Sequence, residues 1–388
     1  MNFKLSNSII INRALSIFWQ FAFTLILVNS LTPSTFGDYR YILIWLSVFI
    51  LFNLPGLDSY VTRKYWNKIK VDPLSILLCK ILFSYLLVFL TILFFYDIVV
   101  RKSPYVILLL FLLPFIDTSL FIKNIYYSLG RASISEKFLL RYNASKIISG
   151  VISLAFLLYL HINIYLFIFL YFFGICIYPL YVLQKKYKFR LQSKSYYINI
   201  YSNGFILTLS SALSLFSLSF DKYFASHYFS SDLLAKYSIL ILLPFELARL
   251  IDSILPTLYK KFNFFFNFKF ILALFLISAV FCLFFSYSFF YLSPIIFGDF
   301  YSYDLMSVIL ASILIPSLSF EYFTIHNIIL RLRSIFLLFY HLLAGVLISL
   351  LFFIYNQTLT INLILFFVIV KSTVLPVFAL FLFKHYLK

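Results

Sequence analysis

The sequence is poor in glycine, cysteine and acidic residues, and each shortage excludes a class of structure. Only 8 of the 388 residues are glycine, so helices packed through repeated small residues are not expected. The 3 cysteines lie apart in apolar segments, which argues against a disulfide framework and against a structural zinc site. No glycine-rich nucleotide loop is present, which argues against ATP-driven transport by this chain. We therefore expect neither a cofactor nor a bound metal.

Apolar side chains dominate the composition. Hydrophobic residues make up 63% of the chain and charged residues 11%, and the mean hydropathy is +1.02. A chain of this kind cannot hide its apolar surface in one water-soluble core. Its apolar runs are near twenty residues long and do not alternate, which favours helices over barrel strands. The sequence predicts an all-α integral membrane protein without a soluble catalytic domain.

Runs of spanning length predict about twelve transmembrane helices. Their approximate bounds are 9–31, 39–57, 75–97, 104–122, 144–160, 163–183, 199–219, 235–256, 270–291, 304–325, 335–355 and 361–383. The basic segment Gln184 to Lys194 lies between the sixth and seventh helices. It predicts two six-helix lobes, residues 1–195 and 196–388, with a central cavity between them.

The positive charge of the chain follows the predicted topology. With the N-terminus inside, the outer side keeps only Arg40, Arg101, Lys102 and Lys222, and most other Lys and Arg residues face inward. The positive-inside rule therefore predicts that both termini are cytoplasmic. The net charge of +18 is explained by this topology and by contact with membrane lipids, so no nucleic-acid partner is expected.

A weak internal repeat connects the two halves. The stretch Leu31 to Lys64 has a short polar turn, an apolar span and a basic end, and a similar stretch lies 198 positions later, from Ser230 to Phe262. Tyr39 and Tyr237 coincide at this offset. Two parallel repeats are typical of several transporter classes in which the substrate path runs between the lobes.

Polar residues form one stripe on helix one and another on the corresponding helix seven. The first contains Arg13, Ser16, Gln20 and Thr24, and the second contains Ser210, Ser214, Ser217 and Asp221. Such side chains often bond their own backbone or join helices in the membrane. The alternative, favoured by the repeat, is a shared hydrated cavity. For Arg13, a third possibility is that its long side chain reaches the inner headgroups.

Several charged residues lie within predicted spans. Lys371 lies near the centre of helix twelve, roughly 15 Å from either surface. It is either neutral or internally paired, or it contacts an anion in the cavity. Glu246, Arg249 and Asp252 lie at spacings of three on helix eight. They form either a self-neutralising triad or a site that responds to a proton or cation.

The remaining ionisable residues suggest no chemistry. Glu321 is near a predicted helix end and is interpreted as an interfacial partner for a base. The five histidines are interpreted as scattered over loops and ends, without metal-ligand spacing.

The chain resembles the bacterial flippases that translocate O-antigen or capsule repeat units, within the multidrug/oligosaccharidyl-lipid/polysaccharide exporter superfamily. The resemblance rests on Pro33-Ser34-Thr35-Phe36-Gly37-Asp38-Tyr39, on Gly56 to Arg63, and on Phe220 to Tyr223 leading into Ala235 to Ser238. It implies a MATE-like fold, an inner-membrane location, and an undecaprenyl-pyrophosphate-linked oligosaccharide as substrate. It also implies that Arg13 and Arg249 match positions where the family places cavity cations.

The candidate site residues fall into two groups. The substrate-binding candidates are Arg13, Gln20, Ser210, Ser214, Ser217, Arg249 and Lys371, and the ion-coupling candidates are Asp221, Glu246 and Asp252. Partners implied by the resemblance are a polymerase and chain-length proteins of the same pathway. The alternatives are a membrane-embedded O-antigen polymerase, for which the outer segments are short, and a drug exporter of the same superfamily.

Overall fold

The structure is a computed structural model that describes most, but not all, of the chain. The described residues are 3–49, 57, 72–102, 105–116, 118–128, 132–186, 197, 198, 202, 208, 209, 213, 217, 219–261, 268–331, 334–355 and 360–383. Along parts of the helices, 251–261 among them, only the backbone is described. The predicted basic end of the Leu31 to Lys64 stretch, which begins at Arg63, and most of predicted helix seven lie outside these residues.

The described residues are almost entirely helical, and none of them is in a β-strand. The helices are α1 Phe3–Ser30, α2 Pro33–Phe49, α3 Pro73–Lys102, α4 Tyr105–Ile116, α5 Thr118–Ser128, α6 Ala132–Leu160, α7 Ile164–Lys186, α8 219–228, α9 Ser231–Lys261, α10 Phe268–Phe297, α11 Leu305–Arg331, α12 Ser334–Tyr355 and α13 Ile361–Phe383. Helix α6 begins twelve residues before the predicted span at 144–160, because its first turns contain polar and charged residues that the apolar-run criterion leaves out.

Five of the described helices are long and apolar enough to cross a membrane. The qualifying segments are Ile11–Ser30, Ser133–Leu160, Ile164–Lys185, Leu305–Ile325 and Ile361–Ala379. Shorter apolar helices cover Leu74–Leu90, Cys282–Phe297 and Phe339–Leu350. Large apolar side chains on these helices are exposed, such as Leu283 and Val280, which suits a lipid environment. The chain is a multi-pass membrane protein.

The helices form two compact units. The first contains Met1–Ser16 and Ile42–Ala212, and the second contains Ile17–Tyr41 and Leu213–Lys388. In the first, α6 packs against α7 around a core that includes Leu77, Tyr126 and Phe138. In the second, α11 packs against α9, α10 and α13. The predicted lobe boundary near residue 195 lies outside the described residues and stays a prediction.

The predicted internal repeat is confirmed at the turn before α2. Helix α1 ends at Ser30 and α2 begins at Pro33, while α8 ends at residue 228 and α9 begins at Ser231. The end of α8 lies 198 residues after the end of α1, and the start of α9 lies 198 residues after the start of α2. The hydrogen bonds repeat as well, because Leu31 N donates to Leu27 O over 2.9 Å and Phe229 N donates to Ala225 O over 2.9 Å.

Matching side-chain caps begin the helices that follow these turns. The Thr32 hydroxyl oxygen accepts from Thr35 N at 3.3 Å, and the Ser230 hydroxyl oxygen accepts from Leu233 N at 3.4 Å. Each cap satisfies a backbone donor that has no partner inside the helix. The same local chemistry therefore starts α2 and α9, although few residues are identical between the two stretches.

The first turn of α2 lies against the first turn of α9. A Cβ atom built on Gly37 would lie 1.8 Å from the Ser231 carbonyl oxygen, so only glycine permits this approach. The Ser231 hydroxyl donates to the Asp38 carboxylate at 2.7 Å. Tyr39 and Tyr237, the identical pair of the repeat, are both buried. The two copies of the turn are thus joined within the second unit.

Candidate functional site

A fully buried ion pair lies in the second unit. The Lys371 ammonium on α13 is 2.8 Å from a Glu321 carboxylate oxygen on α11, and the side chains are 1% and 0% exposed. The same ammonium donates to the Ser217 carbonyl oxygen at 2.9 Å and lies 5.7 Å from the centre of the Phe220 ring. Of the alternatives for Lys371, the internally paired arrangement is the one observed.

Hydrogen bonds from two other side chains satisfy the Glu321 carboxylate. The Tyr340 hydroxyl donates to one oxygen at 3.4 Å, and the Ser372 hydroxyl donates to the other at 2.7 Å. The interpretation of Glu321 as an interfacial residue is wrong, since its side chain has no exposed surface. Buried charges of opposite sign with hydrogen-bond partners are the arrangement in which a membrane interior tolerates ionised groups.

His341 adjoins this ion pair. It lies on α12, is fully buried, and is close enough to Lys371 to interact with it electrostatically. No described residue hydrogen-bonds to either ring nitrogen. The interpretation of the histidines as residues of loops and ends is therefore wrong for His341. Its position within an apolar run was the signal that sequence reasoning left unused.

A second group of charges, here called the basic cluster, contains Arg40, Lys222, Glu246 and Arg249. The Arg249 guanidinium donates to the Glu246 carboxylate at 2.6 Å, as the spacing of three predicts. Arg40 and Lys222 lie within electrostatic range of both. The Asp221 carboxylate also interacts electrostatically with Lys222, so three cations lie near two carboxylates.

The second carboxylate, Asp221, forms no direct ion pair with these cations within the described residues. Asp221 is 1% exposed and accepts a hydrogen bond from the Tyr237 hydroxyl at 2.6 Å. The Arg249 side chain keeps 40% of its surface exposed, and the buried Arg40 Nε has no described hydrogen-bond partner. An anion would supply the acceptors that these donors lack.

Burial sets the charge state of Lys222. Its ammonium lies 4.2 Å from the centre of the Phe245 ring. Burial lowers the pKa of Lys222 to about 8, and Arg249 and Arg40 lower it further, while Asp221 and Glu246 oppose the shift. Because the pKa in the folded protein is below that of a free lysine, folding disfavours the proton. This contribution lowers stability as pH falls from about 10.5 to 8 and is constant below that.

We expect the Lys222 amine to titrate near pH 8, whereas an unburied lysine titrates near 10.5. Reductive ¹³C-methylation followed by an NMR pH titration of the purified protein measures this midpoint, and Lys222→Arg identifies the resonance. Replacing Arg249 by glutamine removes a nearby positive charge and should move the midpoint upward. A titration midpoint close to 10.5 for Lys222 in the protein without substitutions would show that this side chain is solvated.

Arg13 lies in the first unit, beside a separate polar contact. The Asn12 side-chain amide donates to a Glu136 carboxylate oxygen at 2.7 Å, and the Asn143 amide donates to the Asn12 carbonyl oxygen at 3.1 Å. The Arg13 Nε is buried and no described group accepts from it. Burial lowers the pKa of Lys123, and the Glu136 carboxylate opposes that shift. Asn12, Glu136 and Asn143 were not among the predicted site residues.

The structure describes some of the other predicted site residues and leaves the rest outside the described part of the chain. Gln20 is half-buried on α1, in the segment that belongs to the second unit. Ser217 is fully buried, and its carbonyl oxygen contacts Lys371. Ser210, Ser214 and the Asp252 side chain lie outside the described residues. Among the residues that could be searched, no group of three or more His, Cys, Asp or Glu side chains could hold a metal ion.

Comparison with known proteins identifies the fold. No protein-family model matches the sequence, and no curated protein matches it. The solved structures that are similar include MATE in complex with MaL6, with a TM-score of 0.60 and 12% identity over 99% of this chain and 95% of the other. An inward-facing multidrug resistance MATE family transporter of the MOP superfamily has a TM-score of 0.61 and 14% identity over 96% and 94%.

A third similar structure is a MOP superfamily transporter from Pyrococcus furiosus that is described as having a binding pocket of reverse polarity. Its TM-score is 0.59, with 14% identity over 99% of this chain and 94% of the other. The structural neighbours are thus MATE transporters of the MOP superfamily, and the predicted all-α, MATE-like fold class is confirmed. At these identities the likeness concerns the fold.

Proposed function

We propose that this protein is a flippase for an undecaprenyl-pyrophosphate-linked oligosaccharide repeat unit of O-antigen or capsule synthesis. It acts in the bacterial inner membrane by alternating access, with both termini in the cytoplasm. The observation that carries the proposal is the excess of cations in the basic cluster, where Arg40, Lys222 and Arg249 outnumber the nearby carboxylates Glu246 and Asp221. Such a cluster suits an anionic headgroup and repels a cationic drug.

Pyrophosphate matches the donors that the basic cluster offers. A guanidinium presents its N–H groups in a planar fork that fits phosphate oxygens in pairs. Arg249 is partly exposed, and the Arg40 Nε lacks a described acceptor, so both have donors for phosphate. A charged headgroup must cross about 30 Å of hydrocarbon. Fixed cations and hydroxyl groups would replace its lost hydration.

The other candidates extend this proposal. Arg13, Gln20, Ser210, Ser214 and Ser217 are proposed to contact the oligosaccharide and its phosphates. Lys371 is paired with Glu321 in this structure, so its proposed substrate contact requires that ion pair to open in another state of the transport cycle. Proton or cation coupling is proposed for Asp221, Glu246 and Asp252. The partners proposed are the lipid-linked oligosaccharide, membrane lipids, and polymerase and chain-length proteins of the same pathway.

A drug exporter is the second candidate, because a multidrug resistance transporter is among the similar structures. The reverse-polarity pocket reported for the Pyrococcus furiosus protein concerns that protein alone. The O-antigen polymerase alternative gains nothing from the comparisons, since the neighbours are transporters.

Deletion of the gene separates these functions. A strain without a flippase should accumulate lipid-linked single repeat units on the inner leaflet and lose surface polysaccharide. Loss of a polymerase would instead leave single units at the cell surface. Loss of a drug exporter would raise ethidium retention with normal polysaccharide. Normal polysaccharide in the deletion strain would overturn the proposal.

The basic cluster is tested by Arg249→Gln and Arg40→Gln in the complementing gene. Each charge-assisted hydrogen bond contributes about 1.5–3 kcal/mol, so binding of undecaprenyl pyrophosphate to each purified variant should weaken about 10- to 150-fold. Lys236→Gln is the matched control, because Lys236 is on the same helix but stacks on Phe300 at 4.6 Å. Equal affinities for the wild type and both arginine variants would assign the headgroup to another site.

A further inference from the structure

An open groove runs along the surface of the first unit between α6 and α7. The two helices are joined by three residues, 161–163, and pack against each other, so they are antiparallel. The α6–α7 groove has a volume of about 680 Å³ and is lined along its length by Ser145, Ile152, Phe156 and Phe173, among others. It lies within one unit.

Small residues form the floor of the groove. A Cβ atom on Gly174 would lie 2.2 Å from the Ser149 hydroxyl oxygen, so the helices approach closely at this point. The Ser149 hydroxyl donates to the Tyr171 carbonyl oxygen at 2.8 Å, which leaves no donor of that side chain for a ligand. Ile152, Phe156 and Phe173 are 51%, 40% and 48% exposed. The groove therefore offers a long apolar channel that suits a hydrocarbon chain.

One end of the groove is basic. Because the two helices are antiparallel, the start of α6 at Ala132 lies near the end of α7 at Lys186. Lys137, Arg141 and Lys185 are exposed there, and Arg141 lines the groove itself. Lys185 lies 5.7 Å from the centre of the Tyr181 ring, and Tyr181 also lines the groove.

No acid offsets these three cations on the described surface of α6 and α7. The one carboxylate on either helix, Glu136, is 3% exposed and accepts from Asn12. From Arg141 to Phe156 the groove extends about 22 Å along the helix, more than the ~15 Å depth of one leaflet's hydrocarbon. A ligand in this groove would have a negative head at its basic end and an extended apolar chain.

We propose that the α6–α7 groove binds an anionic glycerophospholipid of the surrounding bilayer. One acyl chain lies between the two helices, and the phosphate contacts Arg141 with Lys137 and Lys185. Each basic residue near an anionic lipid contributes a roughly additive attraction, so three of them favour a lipid of net negative charge over a zwitterionic one by about 100-fold. This binding site does not depend on the transported substrate.

Fluorescence quenching tests the lipid site in the full-length protein. Phe173→Trp places a reporter on the groove, and its signal is read above the background of the 3 native tryptophans. Phosphatidylglycerol with brominated acyl chains should quench this reporter at a much lower lipid fraction than brominated phosphatidylcholine. Leu283→Trp, at a position 74% exposed on α10, is the matched control and should show no preference between the two lipids.

The basic end is tested by adding Lys137→Gln, Arg141→Gln and Lys185→Gln to the reporter protein. Because these side chains are exposed, we expect the triple variant to be monodisperse. Its preference for phosphatidylglycerol over phosphatidylcholine should fall to about 3-fold or less. Equal quenching by the two lipids in the reporter protein would overturn the proposal. It would also fail if the triple variant kept the full preference, or if only an isoprenoid phosphate displaced the brominated lipid.

Discussion

Replacing Glu321 by glutamine is expected to lower the free energy of unfolding by about 3–5 kcal/mol, the usual cost of leaving a buried charge without its partner. Lys371 would then keep its contact with the Ser217 carbonyl oxygen but lose its counterion at 2.8 Å. Equilibrium unfolding of the purified protein in detergent measures the change, and thermal unfolding gives its direction.

A double-mutant cycle identifies the cause. Lys371→Met combined with Glu321→Gln removes both charges, and the double variant should recover most of the stability lost in either single variant. Asp232→Asn is the matched control, since Asp232 is exposed in the first turn of α9 and loss of its charge there should cost about 1 kcal/mol or less. Additive losses at Glu321 and Lys371 would show that the two charges do not stabilise each other.

The same double variant separates structure from transport. We expect Lys371→Leu alone to abolish complementation of a flippase-null strain, but a folding defect could produce that result. The double variant that lacks both charges should recover most of the lost stability, so its transport activity shows whether Lys371 has a role in transport. Full transport by this variant would show that the lysine and glutamate serve packing alone, and would remove Lys371 from the substrate site.

Gly37→Ala is expected to destabilise the second unit by about 3 kcal/mol, the upper end of the cost of overpacking. The added methyl group would lie 1.8 Å from the Ser231 carbonyl oxygen and 2.8 Å from its Cα. Because these are backbone atoms of α9, no rotamer change relieves the clash. The first turns of α2 and α9 must separate, and the Ser231 to Asp38 hydrogen bond of 2.7 Å should be lost.

Gly345→Ala is the natural control for this substitution. Gly345 lies within α12 and has no atom within 4 Å of the added Cβ position, so alanine should raise helix stability by up to about 1 kcal/mol. Melting temperature and the yield of monodisperse protein compare the two variants under the same conditions. Equal behaviour of both would show that the close approach at Gly37 is not required.

The helical fold and the repeat could be predicted because both depend on local sequence. Runs of apolar residues fix the spans, and Thr32 and Ser230 cap their helices through neighbours only three residues away. The offset between the two turns therefore survives in the sequence although few residues are identical. Local signals of this kind do not require knowledge of which helices touch.

The partners of buried charges could not be predicted in this way. The central position of Lys371 was visible in the sequence, but Glu321 is on another helix, and the pair depends on how α11 and α13 are rotated about their axes. Apolar residues surround both helices almost evenly, so the sequence contains little information on that rotation. Glu321 and His341 were wrongly placed at helix ends for a different reason, because the helices that contain them, Leu305–Arg331 and Ser334–Tyr355, continue well beyond both residues.

The grouping of Ile17–Tyr41 with Leu213–Lys388 has a consequence for biosynthesis. Asp38 meets its partner Ser231 across 193 residues of sequence. At a synthesis rate of about 5–20 residues per second, that separation takes roughly 10–40 s. Throughout this interval the C-terminal end of α1 and the start of α2 are in the membrane without their final neighbours. The helices made first therefore complete their packing among the last, after ribosomal synthesis has passed α9.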